Sequence, residues 1–207
     1  MIEKRFSRQE ALGFGWKKMK ENFWFLMGIF AVMFFCQGMQ SHFSHIDPKT
    51  DWATYFFGTF SFLILNIIIQ MGNIRIALEI NDGQKTGFDR LFSAWKFFFR
   101  YVAGSFLYSL IVLCGLILLV VPGIMWAIRF QFFSYFIIDK DAGPVEALKL
   151  SSKATKGARM DLFWFDLACF GAIILGVLAL GIGIFVAIPT VMLAVAYVFR
   201  KLEPQIV

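Results

Sequence analysis

Six long apolar stretches alternate with polar segments along the 207-residue chain, and the spacing sets the fold expectation before any single residue is considered. A helix rising 1.5 Å per residue needs about 20 apolar residues to cross a bilayer core. The pattern predicts spans near residues 22–40, 54–80, 101–121, 123–138, 162–181 and 184–200. The third and fourth are separated only by Val121-Pro122-Gly123, and the fifth and sixth by Gly181-Ile182-Gly183, so each pair is expected to form a tight hairpin. Pro122, Gly123, Gly181 and Gly183 are the predicted turn residues.

Before each pair of spans lies a basic segment with helical spacing of apolar residues. In the first, Ser7 to Lys20, Leu12 and Trp16 stand one turn apart beside Lys17, Lys18 and Lys20. The second, Phe88 to Arg100, sets Leu91, Phe92, Trp95 and Phe98 toward one face. The third follows Pro144, a favourable first-turn residue, and sets Ala147, Leu148 and Ser151 against Lys149, Lys153 and Lys156. Helices of this kind lie in the membrane interface with their basic side at the headgroups. Glu10-Ala11-Leu12 recurs as Glu146-Ala147-Leu148, more loosely as Asp89-Arg90-Leu91, and Phe23-Trp24-Phe25 recurs as Phe163-Trp164-Phe165. The chain therefore reads as one transmembrane domain over 1–207, made of three parallel repeats at about 5–80, 87–139 and 143–203.

Charge orients this bundle. Lys and Arg gather in the flanks of alternate loops; Lys49 alone occupies an intervening loop, and Arg129 lies inside an apolar stretch. Retained cytoplasmic loops carry the excess of Lys and Arg, which predicts both termini on the cytoplasmic side of the membrane. Hydrophobic residues make up 59% of the chain and charged ones 16%, against roughly 25% charged in an average soluble protein. Mean hydropathy is +0.70. The net charge of +6 is spread over four flanks rather than one stripe, so it reads as a topology signal beside anionic lipid and not as a nucleic-acid surface. The first twenty residues carry mixed charge and no small-x-small site follows, so no secretory signal is expected. Cys36, Cys114 and Cys169 are isolated in apolar stretches and read as packing residues.

Polar side chains inside spans are the candidate chemistry, because they are costly there. Arg129, Asp166, Gln70, Asn73, Asn66 and Arg75 make up this set, and Asn66, Gln70 and Asn73 recur at i, i+4, i+7 on one face of the second span. Two readings stand. The set forms a polar cavity that receives a lipid headgroup, an anion or a small solute, or it is interhelical glue in which Arg129 or Arg75 pairs with Asp166. Arg75 and Glu79, one turn apart, are expected to form a snorkelled surface pair. Ala168, Ala172 and Gly176 form a small-residue packing face. His42, His45, Asp47 and Asp51 in the outer loop have ligand-like spacing but lack a defined four-ligand set, so no metal and no cofactor are expected. With His confined to that loop and no catalytic motif elsewhere, the chain is expected not to be an enzyme.

The second half also resembles a known group. Val121-Pro122-Gly123-Ile124 to Arg129, Asp139, Glu146-Ala147-Leu148 with Ser151 or Ser152, Lys156-Gly157, Leu162-Phe163 to Asp166, and then Gly181-Ile182-Gly183 and Pro189 resemble an uncharacterised family of small bacterial six-helix membrane proteins. The resemblance covers about residues 90–202, and is similar, more distantly, to the membrane domain attached to some glycerophosphodiester phosphodiesterases. It implies the six-helix fold and no catalysis, since in those enzymes the hydrolase is a separate soluble domain. The functional expectation is an accessory or scaffold protein for a membrane or envelope process, in contact with membrane lipids and a protein partner; the alternative is a transporter or lipid-handling protein built on the layer around Arg129. The sequence specifies no oligomeric state.

Overall fold

The computed structural model describes residues 6–206 except 46, 48, 50, 180 and 182, with the side chains of 205 and 206 also left aside; Arg5, at the expected start of the first repeat, and Ile182, between Gly181 and Gly183, therefore lie outside the described residues. The fold is all-α, with no strand among the described residues. Apolar chain in a bilayer must satisfy its own backbone, and helices do this within the segment. Six segments are long and apolar enough to cross a membrane. They are α2 (Phe23–Ser44), α3 (Trp52–Asn81), the run containing α4 (Arg90–Ser93) and α5 (Phe98–Leu118), the run of α6 (Val120–Phe130) and α7 (Phe133–Lys140), α9 (Arg159–Leu178) and α10 (Ile184–Leu202). Two further helices, α1 (Arg8–Glu21) and α8 (Pro144–Ala154), complete the set, with a 3-10 turn at Trp95–Phe97.

Consecutive spans pack together as α2 with α3, α5 with α6, and α9 with α10. The connections differ from expectation in one place. The turn between α5 and α6 is the single extended residue Leu119 (φ −167°, ψ 151°), so Pro122 and Gly123 stand in the first turn of α6 rather than between helices. Proline is tolerated there because first-turn N–H groups have no intrahelical partner. Gly123 instead serves close approach, since a Cβ on it would press on the Leu116 side chain and backbone. Gly181, with φ +76°, occupies the left-handed region in the connection after α9, and Gly183 caps α10 and packs on Gly176. Gly176 is thus spent inside this helix pair, whereas Ala168 borders a groove beside α1.

The 30 residues of α3 are about 45 Å long, more than a bilayer core of about 30 Å requires. Its final stretch from Ile69 to Ile80 is mostly buried, and packs with α7 and the end of α10. Phe199 of α10 centres this core, with ring centroids 5.9 Å from Phe132, 5.1 Å from Tyr135 and 5.0 Å from Phe136. Around it the short helices take cyclic places: α1 on α10, α4 on α3, α8 on α7. The opposite end of the bundle exposes Phe56, Phe57, Ile117, Leu118, Leu119 and Leu178. A surface that apolar has the character of one that faces lipid.

The short helices also correct the predicted faces. In α1 the buried stripe is Ala11, Gly15 and Met19, set against α10, while Trp16 is exposed. The segment 88–100 is not one helix: it breaks into α4 and the 3-10 turn, burying Leu91, Ala94 and Phe97 and exposing Phe92 and Trp95. Helix α8 buries Ala147, Leu148 and Ser151, as its spacing predicts, and begins at Pro144 with the Gly143 N–H donating to Glu146 Oε2 at 3.3 Å.

Candidate functional site

The α6–α7 junction positions Arg129. The helix is interrupted at Gln131 and Phe132, which frees backbone groups that an apolar setting cannot leave unpaired. Two hydroxyls, from α8 and its C-cap, take them up, and a third, on Ser152, holds the Arg129 side chain. Ser151 Oγ donates to the Arg129 carbonyl at 3.1 Å and accepts from the Phe132 N–H at 3.2 Å. Thr155 Oγ1 lies 3.1 Å from the same carbonyl and 2.9 Å from that of Ser151, and shares its one proton between them. Arg129 Nε donates to Ser152 Oγ at 2.6 Å. The rest of the guanidinium edges an apolar groove of about 410 Å³ formed by Leu110, Ile111, Cys114, Trp126 and Phe130. No carboxylate among the described residues forms an ion pair with it.

Asp166 is not brought to Arg129. It stands on α9 beside Gln131, whose Nε2 is buried without completing a well-formed hydrogen bond, and within electrostatic reach of Tyr108. Tyr108 itself donates to the Ala127 carbonyl at 3.4 Å. The amide face of α3 divides rather than forming one layer with Arg129. Asn66 donates to Gln40 Oε1 at 2.7 Å and Asn73 donates to Met33 Sδ at 3.0 Å, both tying α3 to α2, while Gln70 is exposed. Arg75 Nε donates to Glu79 Oε1 at 3.3 Å and its Nη1 to the Ile138 carbonyl at 3.3 Å. Glu79 is only 6% exposed and also faces Arg90 at 3.7 Å, so this pair is an internal tie between α3, α4 and α7 and not the surface pair the spacing predicts.

One polar centre escaped sequence reasoning. Arg200, at the end of α10, grips Asp82 through Nε at 3.0 Å and Nη2 at 2.7 Å. It also donates from Nη1 to Asp139 Oδ2 at 2.7 Å, from Nη2 to Asp139 Oδ1 at 2.9 Å, and from Nη1 to Glu203 Oε2 at 2.9 Å. Lys140 joins through Asp139 and Glu203. The available signal was that acids follow the second and fourth spans, Asp82 and Asp139, where the sixth ends in Arg200. In the loop between α2 and α3, Asp51 caps α3 by accepting from the Thr54 N–H at 3.1 Å. No group of three His, Cys, Asp or Glu among the described residues is placed to hold a metal; Ile46, Pro48 and Thr50 of that loop are outside the description.

These features define a multi-pass, all-α membrane protein with polar ties both within its helices and at their ends. Residues 103–205 match the family described as "Protein of unknown function (DUF975)". The chain is 28% identical over 151 residues to the uncharacterised protein Mb2590 of Mycobacterium bovis, covering 72% of this chain and 45% of that protein. The uncharacterised protein Rv2560 of Mycobacterium tuberculosis is 27% identical over the same shares. A UPF0259 membrane protein of Pectobacterium carotovorum is 29% identical over 101 residues, 48% of this chain and 40% of its own length. The chain spans less than half the length of these curated relatives. No solved structure matches the chain. The likeness is therefore to uncharacterised bacterial membrane proteins, and none of these relatives is described as a phosphodiesterase.

Proposed function

We propose that the protein is a non-enzymatic accessory or scaffold of the bacterial cytoplasmic membrane, with both termini on the cytoplasmic side. The observation that carries this reading is how the polar groups inside the helices are used. Arg129 is held by Ser152, Asn66 by Gln40, Asn73 by Met33 and Arg75 by Glu79 together with the Ile138 carbonyl of α7; each set joins two or more elements, and they do not converge on a common cavity. The Lys and Arg pattern supports the orientation. The cyclic seating of α1 on α10, α4 on α3 and α8 on α7 supports three repeats, each placing its short helix on the second span of the preceding unit. The test is mass spectrometry of the protein extracted from its own membrane in native lipid discs. A stoichiometric protein partner is the expected result. A disc holding only this chain and a stoichiometric solute would overturn the reading. Ser44→Cys and Gly157→Cys, labelled from either side of intact cells, check the orientation: only Ser44→Cys is expected to react from outside.

A second reading, lipid handling or transport at Arg129, is favoured by one observation: the guanidinium borders an apolar groove with no carboxylate partner among the described residues. Cys114 lines the same groove and is exposed, whereas Cys36 and Cys169 are buried. Under this reading Cys114 reacts with a small polar thiol reagent in the folded protein, and complete protection removes the water-filled path.

A further inference from the structure

A second groove lies on the other side of α6, and its chemistry is specific. Ile124, Met125 and Ile128 of α6 face Met160 and Phe163 of α9 across a space of about 340 Å³, and Arg159 closes one end. Arg129, the residue after Ile128, belongs to the opposite groove, so the two sites are separate. The walls are open to the surroundings: Met125 is 51% exposed and Met160 69%. On helices long and apolar enough to span a membrane, such walls meet acyl chains. At the closed end, Arg159 Nε is buried without a hydrogen-bond partner among the described residues, and no carboxylate among them pairs with the guanidinium. Asp161 projects two residues further round α9 and does not line the groove.

A guanidinium with an unmet donor beside apolar walls calls for an anion attached to something apolar. The first turn of α9 adds its own unpaired N–H groups and the positive end of a 20-residue helix dipole, which favour the same sign of ligand. From Val121 to Ile128 the α6 wall runs about 10 Å, enough to guide the upper part of one chain. We propose that this groove binds an anionic phospholipid, with the phosphodiester on Arg159 and one acyl chain laid between α6 and α9. Planar, fork-like donors match phosphate oxygens, and a lipid whose phosphate is already neutralised by its own ammonium gains less from them. The proposal needs the six helices to span a membrane but not the accessory reading. Partner capture tests that reading and lipid titration tests this one, so either can fail alone.

The experiment is native mass spectrometry of the full chain, stripped of lipid and titrated with dioleoyl phosphatidylglycerol or, in parallel, with phosphatidylethanolamine bearing the same chains. One phosphatidylglycerol is expected to bind in preference to phosphatidylethanolamine. Arg159→Gln should weaken that adduct about tenfold, the loss of one charge-assisted contact, while Arg159→Lys keeps part of it. Ile124→Trp, which fills the groove and leaves the arginine in place, should weaken it as well. The proposal is overturned if wild type binds both lipids equally, or if Arg159→Gln leaves phosphatidylglycerol affinity unchanged. It is also overturned if Ile124→Trp has no effect while free glycerol phosphate competes fully, because the site would then be an anion site without a chain. Should Arg159→Gln fail to fold, the Ile124→Trp and Arg159→Lys titrations decide between the same outcomes.

Discussion

Ser151 illustrates why single residues matter most at the helix junctions. Its hydroxyl satisfies a carbonyl and an N–H that the α6–α7 interruption would otherwise leave buried and unpaired. Thr155 can still reach the Arg129 carbonyl in Ser151→Ala, but nothing replaces the acceptor for the Phe132 N–H. Leaving one buried donor unmet costs about 1–3 kcal/mol, so Ser151→Ala should lower the thermal midpoint in detergent clearly, and Ser151→Thr should retain most of it. The sequence shows the Ser151-Ser152 pair as part of a resemblance and shows Arg129 as a charge deep in a span; that they are the two sides of one knot, 22–23 residues apart, depends on α8 folding back along α7. Asp51 offers a test by pH. Bonds from the Thr54 hydroxyl and backbone N–H hold its carboxyl below the usual carboxylate range. A depressed folded value means the cap contributes fully above the unfolded pKa of about 3.9 and is lost as pH falls through the lower folded value. Exchange protection at the Thr54 amide should therefore drop at the acid end in wild type. It should hold steady in Asp51→Asn, whose side-chain oxygen still caps without titrating.

At the scale of elements, glycine and alanine decide how closely the short helices sit on the spans. A Cβ on Gly72 would run into the Leu91 backbone, and one on Gly15 into the backbone of Thr190 and Ala194. Both neighbours are main chain, which cannot swing aside. Gly72→Ala and Gly15→Ala should each destabilise by about 1–3 kcal/mol, the usual cost of overpacking. Gly13, in the same helix as Gly15, has nothing within 4 Å of a built Cβ, so Gly13→Ala should instead stabilise α1 by about 0.5–1 kcal/mol. Opposite signs two residues apart, read from unfolding midpoints, would establish α1 as a docked element rather than a loose surface helix. The spans were legible because twenty apolar residues in a row have one solution in lipid. The short helices were legible only as helices. Apolar spacing pointed to Leu12 and Trp16, yet the face that packs is Ala11, Gly15 and Met19, because helix-on-helix contact in an apolar setting selects small residues that admit a neighbouring backbone. For the same reason the 88–100 segment gave no hint of its interruption: Leu91 is seated on Gly72, and that contact lies outside any local pattern.

For the whole molecule, the decisive feature is that one arginine gathers the ends of three spans. Arg200 bonds Asp82 across 118 positions of chain and Asp139 across 61, and Glu203 and Lys140 close the group. A sequence shows these as ordinary charged flanks, since an acid at the end of a span is common and its partner is set by the assembled bundle. Three carboxylates against two cations leave the group dependent on Arg200. Arg200 and the three carboxylates are 16–32% exposed, so removal of Arg200 should cost less than the 3–5 kcal/mol of a fully buried pair and more than an exposed one, about 1–3 kcal/mol. Arg200→Gln should also reverse the response to salt. In wild type, raising salt screens attraction and lowers stability slightly; in Arg200→Gln the carboxylates repel, so salt should stabilise. Adding Asp139→Asn to Arg200→Gln should recover part of the loss, because the second change removes a like charge instead of a partner, and a double-mutant cycle would report that coupling directly. If the two losses simply add and the salt response keeps its sign, Arg200 is a surface charge and the bundle is held by the Phe199 core alone. Recovery with reversed salt dependence would show that the ends of the second, fourth and sixth spans are locked by charge as well as by packing.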